Sequence, residues 1–185
     1  MDYAEIDLLH AYGGFTHPTE AGDALLESLL STASAMIDAF CHRVFGIAEG
    51  AEAVAHTFTE DNGLLPPRGA GRTLWLDGDL CSTPTITDDP VVTLIPRDPP
   101  YYRIVRAEGT WPDPTVITGH WAYSLTPPAP IVQACLRLTL WMYHQRESTD
   151  GDRPMVTEGG VFMLPNAFPR DIQLLLAPYK RVRVG

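Results

Sequence analysis

Histidines, cysteines and paired carboxylates are the residues of this chain whose types could do chemistry. Asp38, Cys41 and His42 lie within five positions of one another. On a helix, Asp38 and His42 stand one turn apart and could pair as acid and base, the minimal equipment of a small hydrolase. Cys41 and His42 are immediate neighbours, point to different faces and cannot share a metal. His10, His17 and His56 have no partners at metal-ligand spacing. His120 lies between Gly119 and Trp121 in a strand pattern. His144 lies near a helix end, where a cation favours the negative pole of the dipole. Neither HExxH nor CxxC occurs. Ser124 lies outside a nucleophile-elbow pattern, and Gly69-Ala70-Gly71 lacks the lysine of a phosphate cradle. Asp88-Asp89 and Asp77-x-Asp79 fall short of a calcium loop and read as turn residues. Cys41, Cys81 and Cys135 are far apart and odd in number, so they read as buried free thiols rather than a disulfide or zinc framework. No catalytic residue, metal or cofactor is therefore expected, and a hydrolase built on His42 and Asp38 is the rival reading.

Charge is distributed unevenly. The formal net charge is −10. Residues 1–62 hold eleven acidic residues and one arginine, Arg43, while residues 63–185 hold twelve of each sign. Twelve of the thirteen basic residues are arginine; the lysine is Lys180. An acidic surface does not grip phosphates, but it can line a passage through which DNA slides without sticking. The aromatics Trp111, Trp121, Tyr123, Trp141 and Tyr143 are accompanied by no basic groove, so they read as packing residues. No run of about 18 apolar residues is found, so no membrane span is expected. The N-terminus lacks the pattern of a secretory signal.

The elements that must position these residues follow from periodicity. Residues 1–15 read as a loose segment with one helical turn at most. Residues 18–45 read as a long helix: Leu26, Leu29, Leu30, Ala33, Met36, Ile37, Phe40 and Val44 recur at steps of three and four, and Gly46 stops them. Across 46–129 that period vanishes. Short β-prone runs appear at 53–58, 73–76, 85–87, 91–95, 101–105 and 116–123, separated by turn signals such as Asp77-Gly78-Asp79 and Asp88-Asp89-Pro90. Pro66-Pro67 and Gly69-Ala70-Gly71 read as an exposed, flexible loop. A second helix spans 130–147, with Pro130 in its first turn and Ile131, Ala134, Cys135, Leu138, Trp141 and Met142 on one side. Residues 148–185 read as a glycine-rich linker, a short helix from Arg170 to Ala177, and a basic tail. The length suits one core, with at most a small added lobe, and the whole of 1–185 is taken as a single domain.

Three stretches carry a resemblance. Residues 116–124, Val-Ile-Thr-Gly-His-Trp-Ala-Tyr-Ser, run through Pro127, Pro128 and Pro130 into a helix ending Trp141-Met142-Tyr143. The first helix ends Ile37-Asp38-Ala39-Phe40-Cys41-His42-Arg43-Val44-Phe45, and the C-terminal region reads from Phe168 through Pro178 to Arg181. Together, and in this order, they resemble the head–tail connector (adaptor) family of tailed bacteriophages and gene transfer agents. Ala122 stands where that family usually has glycine. The resemblance implies a structural virion protein, not an enzyme, assembled in the host cytoplasm. It implies a ring, usually twelvefold, beneath the portal, which extends the DNA channel and offers the tail a docking surface. The implied fold is α+β: a helical bundle with an antiparallel β region inserted between two long helices, plus a short C-terminal helix and extended tail. Another neck or tail-completion protein, or a non-viral oligomeric module, are further rivals.

Site expectations follow from this reading. The partners are the chain itself, the portal protein, a downstream neck or tail protein, and DNA passing without specific binding; no membrane is among them. Ile172, Leu175, Leu176, Tyr179, Lys180, Arg181 and Arg183 are expected on a tethered arm that docks on the portal or a neighbour. Arg68, Arg72, Arg97, Arg103 and Arg106 are the candidate contacts to acidic residues of an adjoining subunit. Glu20, Asp23, Glu27, Asp38, Glu49 and Glu52 are the candidates for a negative lumen.

Overall fold

The computed structural model describes residues 1–15, 19–65, 71–148 and 168–181. Expectations for His17, Arg68 and Arg183, for the 66–70 loop and for the glycine-rich linker across 149–167 fall outside the described residues. Among those described are four α-helices and two small antiparallel sheets, in general agreement with a mixed α+β fold. The chain divides into two compact units: Met1–His42 with Ala129–Gly185, and Arg43–Pro128.

The first unit is helical: α1 (Ile6–Gly13), α2 (Glu20–Cys41), α3 (Ala129–Ser148) and α4 (Arg170–Leu176). Helix α2 starts where Thr19 Oγ1 accepts the Gly22 N–H at 3.2 Å, with Glu20 and Asp23 in its positive first turn. It stops at Cys41, four residues short of the expected end. His42 adopts a left-handed conformation (φ 55°) and its N–H bonds the Asp38 carbonyl, which breaks the helical path before Gly46 is reached. Leu26, Leu30, Ala33, Ile37 and Cys41 form the buried face of α2; Ile131, Ala134, Cys135 and Leu138 form that of α3, which packs against it. Each large aliphatic side chain so removed from water contributes about 1.5–3 kcal/mol.

One described helix meets the length and composition of a membrane span, a test that a core helix also passes. It is Gly22–Cys41, whose charged residues are Asp23, Glu27 and Asp38; a third of its apolar window is buried. The expected loose N-terminus is ordered. Helix α1 closes at Gly14, whose N–H bonds the His10 carbonyl, and Leu9 is fully buried. A single anchor and a few long-range bonds hold it, a signal too short for periodicity. Tyr3 donates its N–H to Ser34 Oγ (3.0 Å) and its hydroxyl to Asp38.

The second unit carries the sheets. Strand order is β1 (Val54–Phe58), β6 (Thr115–Gly119), β3 (Thr85–Ile86) in one and β2 (Thr73–Leu80), β5 (Tyr101–Arg106), β4 (Val92–Ile95) in the other, all pairs antiparallel. Phe58, Leu74, Leu80, Ile104 and Ile117 fill the core. Residues at the two ends of this unit bond each other: the Tyr123 N–H donates to the Val44 carbonyl (2.7 Å) and the Ile47 N–H to the Leu125 carbonyl (3.1 Å).

Two strand boundaries differ from expectation. Asp77-Gly78-Asp79 is not a turn; β2 runs through it with a register shift between Trp75 and Leu80. Tertiary partners explain this: Asp77 meets His56, Asp79 is buried 3.5 Å from Arg43 Nε, and a Cβ at Gly78 would lie 3.3 Å from the Trp121 ring. Strand β6 ends at Gly119 rather than at 123. There the Trp121 indole turns to stack on His56 and its N–H bonds the Val54 carbonyl (2.9 Å).

Candidate assembly surfaces

The C-terminal helix is held by its own unit, against the expectation of a free arm. Ile172 and Leu176 are buried, Phe168 stacks on Phe40 (4.9 Å, 9°), and Lys180 Nζ lies 4.8 Å from the Phe40 ring centre. The Arg181 N–H donates to the Cys41 carbonyl at 2.8 Å, and Asp171 pairs with Arg137. The apolar side of α4 is thus spent on the helices beside it, because intramolecular burial carries no cost of association. Leu175, Tyr179 and Arg181 are half-buried, and Lys180 is exposed. Leu174, not anticipated, is 68% exposed.

The acidic candidates on α2 share an edge. Glu20, Asp23, Glu27 and Asp38 are separated by three, four and eleven residues, near-integral numbers of turns. Glu20 and Glu27 are exposed and make no ion pair among the described residues. Asp23 is held by His10 Nε2 at 2.9 Å. Burial pushes the Asp38 carboxyl above the usual carboxylate range, and the Tyr3 hydroxyl bond pulls it partly back. Glu49 and Glu52 belong to the other unit, on an exposed approach to β1.

The candidate arginines make local contacts. Arg72 is exposed and donates from Nη1 to the Ala107 carbonyl (2.6 Å). Arg106 donates to the Thr110 carbonyl (2.7 Å) and lies over Trp111. Arg103 lies over Trp75, its Cζ 5.0 Å from the ring centre. Arg97 is exposed. The Nε atoms of Arg43, Arg103 and Arg106 are buried without a hydrogen-bond partner.

Sequence reasoning missed Trp75 and Tyr102, which are 59% and 41% exposed and stack on one another (6.3 Å, 14°). A signal was present: in Thr73-Leu74-Trp75-Leu76 the tryptophan occupies the outward phase of the strand alternation.

Among the described residues, Asp38 and His42 are engaged separately rather than as an acid–base pair. The Asp38 carboxylate is engaged by Tyr3, while His42 acts through its backbone at the end of α2 and its side chain is exposed. His10 and His56 do have partners, Asp23 and Asp77, which are distant in sequence; His56 Nδ1 lies 3.1 Å from both Asp77 oxygens. His120 Nε2 contacts the Ala51 carbonyl at 3.2 Å. Among the described residues no three His, Cys, Asp or Glu side chains are grouped to hold a metal. The three cysteines are buried and form no disulfide among the described residues, and burial pushes the Cys81 and Cys135 thiols up. Asp88 and Asp89 have positive φ (64° and 43°), the backbone of a turn.

Neither a protein-family model nor a curated protein matches the chain. Among solved structures, a chain of the "Neck of empty GTA particle computed with C6 symmetry" is similar with a TM-score of 0.63 and 18% identity, over 98% of this chain and 91% of that one. At that identity the shared property is the fold, and it extends over nearly the whole length of both chains.

Proposed function

We propose that this chain is a structural subunit of the neck of a phage-like particle, acting as a head–tail connector ring beneath the portal. The observation that carries the proposal is the end-to-end likeness to a chain from the neck of a gene transfer agent particle. The resemblance of three ordered motifs to the adaptor family supports it independently. The C6 symmetry of that neck favours a cyclic homo-oligomer; a twelvefold ring accords with it. In this reading the subunit resides in the virion, is assembled in the host cytoplasm, catalyses nothing, and binds the portal on one side and a further neck or tail protein on the other.

Glu20, Asp23 and Asp38 on α2, with Glu49 and Glu52, supply candidates for a lumen wall that repels DNA and lets it slide. Arg68, Arg72, Arg97, Arg103 and Arg106 supply candidate contacts between subunits. The C-terminal arm enters in reduced form: with Ile172 and Leu176 seated, Leu175, Tyr179, Lys180, Arg181 and Arg183 remain to meet the portal. A different neck joint is also compatible with the same likeness. Native mass measurement of the chain, alone and with its portal, separates the two: a connector gives one ring per portal. Particles made without the chain are expected to be filled heads lacking tails, and normal tailed particles would sink the proposal.

A further inference from the structure

Trp75 is the most exposed aromatic side chain among the described residues, yet it is held in place. Arg103 stands opposite it in the β2–β5 register and lays its guanidinium over the indole, while Tyr102 stacks on it. A preorganised Trp–Tyr–Arg group on the open face of a sheet has the composition of an interface hot spot. Among the described residues, Arg103 also has no anion partner. Its Nε is buried without a hydrogen-bond partner. Such a guanidinium can donate charge-assisted hydrogen bonds to a carboxylate that reaches it.

A complementary surface exists on the same chain. Helix α2 is apolar through Gly22–Cys41, yet only a third of that window is buried. Its open face runs through Ala24, Ser28, Ser31, Ala35 and Ala39, all exposed and small, at steps of four and three. A large ring can lie flat on such a face. Glu20 and Glu27, both without ion pairs among the described residues, border it, and residues 1–42 contain seven carboxylates and no lysine or arginine. One surface is large, aromatic and cationic; the other is small and anionic. Each is unlike itself, so two copies join head to tail, the contact type that closes into rings.

Resting on the ring proposed above, we infer that the Trp75–Tyr102–Arg103 face of one subunit docks on the small-residue face of α2 in the next copy, with Arg103 meeting Glu27. The test uses the full chain and four preparations, W75A, R103E, E27R and an equimolar mixture of the last two. Each is checked for folding by circular dichroism and thermal melting, and association is read by sedimentation velocity over a concentration series. W75A is expected to weaken self-association at least about thirtyfold. R103E and E27R each place like charges together and dissociate; their mixture restores rings, because the swapped pair re-forms between copies. Mixing cannot rescue a contact made within one chain. If the wild type associates only in particles, copies incorporated per particle replace the sedimentation readout. Rings unaffected by W75A and by both charge variants overturn this contact and leave the ring intact. Rings of W75A that form normally but fail to join heads assign the face to a neck partner and also overturn it. A single wild-type copy per particle overturns the ring itself.

Discussion

The helical and β units differ in how they treat their polar and aromatic groups. In the helical unit the buried hydroxyls are satisfied within the chain: Ser34 donates to the Leu30 carbonyl and accepts from Tyr3, and Thr139 donates to the Cys135 carbonyl. Its amphipathic C-terminal helix is seated rather than free. In the β unit the Nε atoms of Arg103 and Arg106 are buried without a hydrogen-bond partner, and a tryptophan and a tyrosine stand exposed. Short strands explain part of this. A sheet of three strands has one face on its core and leaves the other to water, whereas facing helices enclose one core between them. The open face of α2 is small and edged with carboxylates, whereas the β2–β5 face presents an aromatic pair beside an arginine. The proposed head-to-tail contact draws on that difference.

Three measurements would break or sharpen this contrast. The largest effect is expected at α4. Ile172→Ala should cost about 2–5 kcal/mol in denaturant unfolding, because it empties a fully enclosed site. Asp171→Asn should cost less than about 1 kcal/mol, since its pair with Arg137 is half in water. Equal effects would mean that charge rather than burial seats the helix, and the helical unit would no longer be the self-contained one.

In the β unit, Gly119→Ala should cost about 1–3 kcal/mol. A Cβ there would lie 2.6 Å from Leu80 Cδ1, and Leu80 is itself fully buried and cannot swing aside. A neutral result by thermal melting would show that the β core repacks more freely than its enclosure implies.

The smallest effect concerns Asp38. Its carboxyl is held above its ordinary range by burial, so the folded chain binds the proton more tightly than the unfolded chain does. The stability this supplies is fully present below the unfolded value, about 3.9, and is lost as pH rises through the folded value. Asp38→Asn has no such proton to lose. The stability of the variant relative to wild type should therefore rise from pH 3.5 to pH 7, at roughly those bounds, and level off above the folded value. A flat difference across unfolding curves in that range would show that burial does not raise the Asp38 carboxyl.

Much of the element order was legible in the residues. The steps of three and four from Leu26 to Ile37 and from Ile131 to Leu138 located α2 and α3, and all six strands fell on or across expected β-prone runs. What was not legible shares one cause. The end of α2 at Cys41, the strand through Asp77-Gly78-Asp79 and the pairing of His56 depend on partners that local propensity does not report. The same holds for the arm: an amphipathic pattern says that α4 buries a face, but not against which surface.

The sequence by itself determined a helix, a β region, a second helix and a short third, because helical period and Pro, Gly and Asp turn signals act over a few residues. It also determined that the N-terminal third is acidic, which is composition alone. Only the tertiary structure decided which side chains meet: Tyr3 with Asp38, Phe40 with Phe168, Trp75 with Arg103. These partners lie tens of residues apart, and what joins them is the closure of a core, a property of the whole unit that no local window contains.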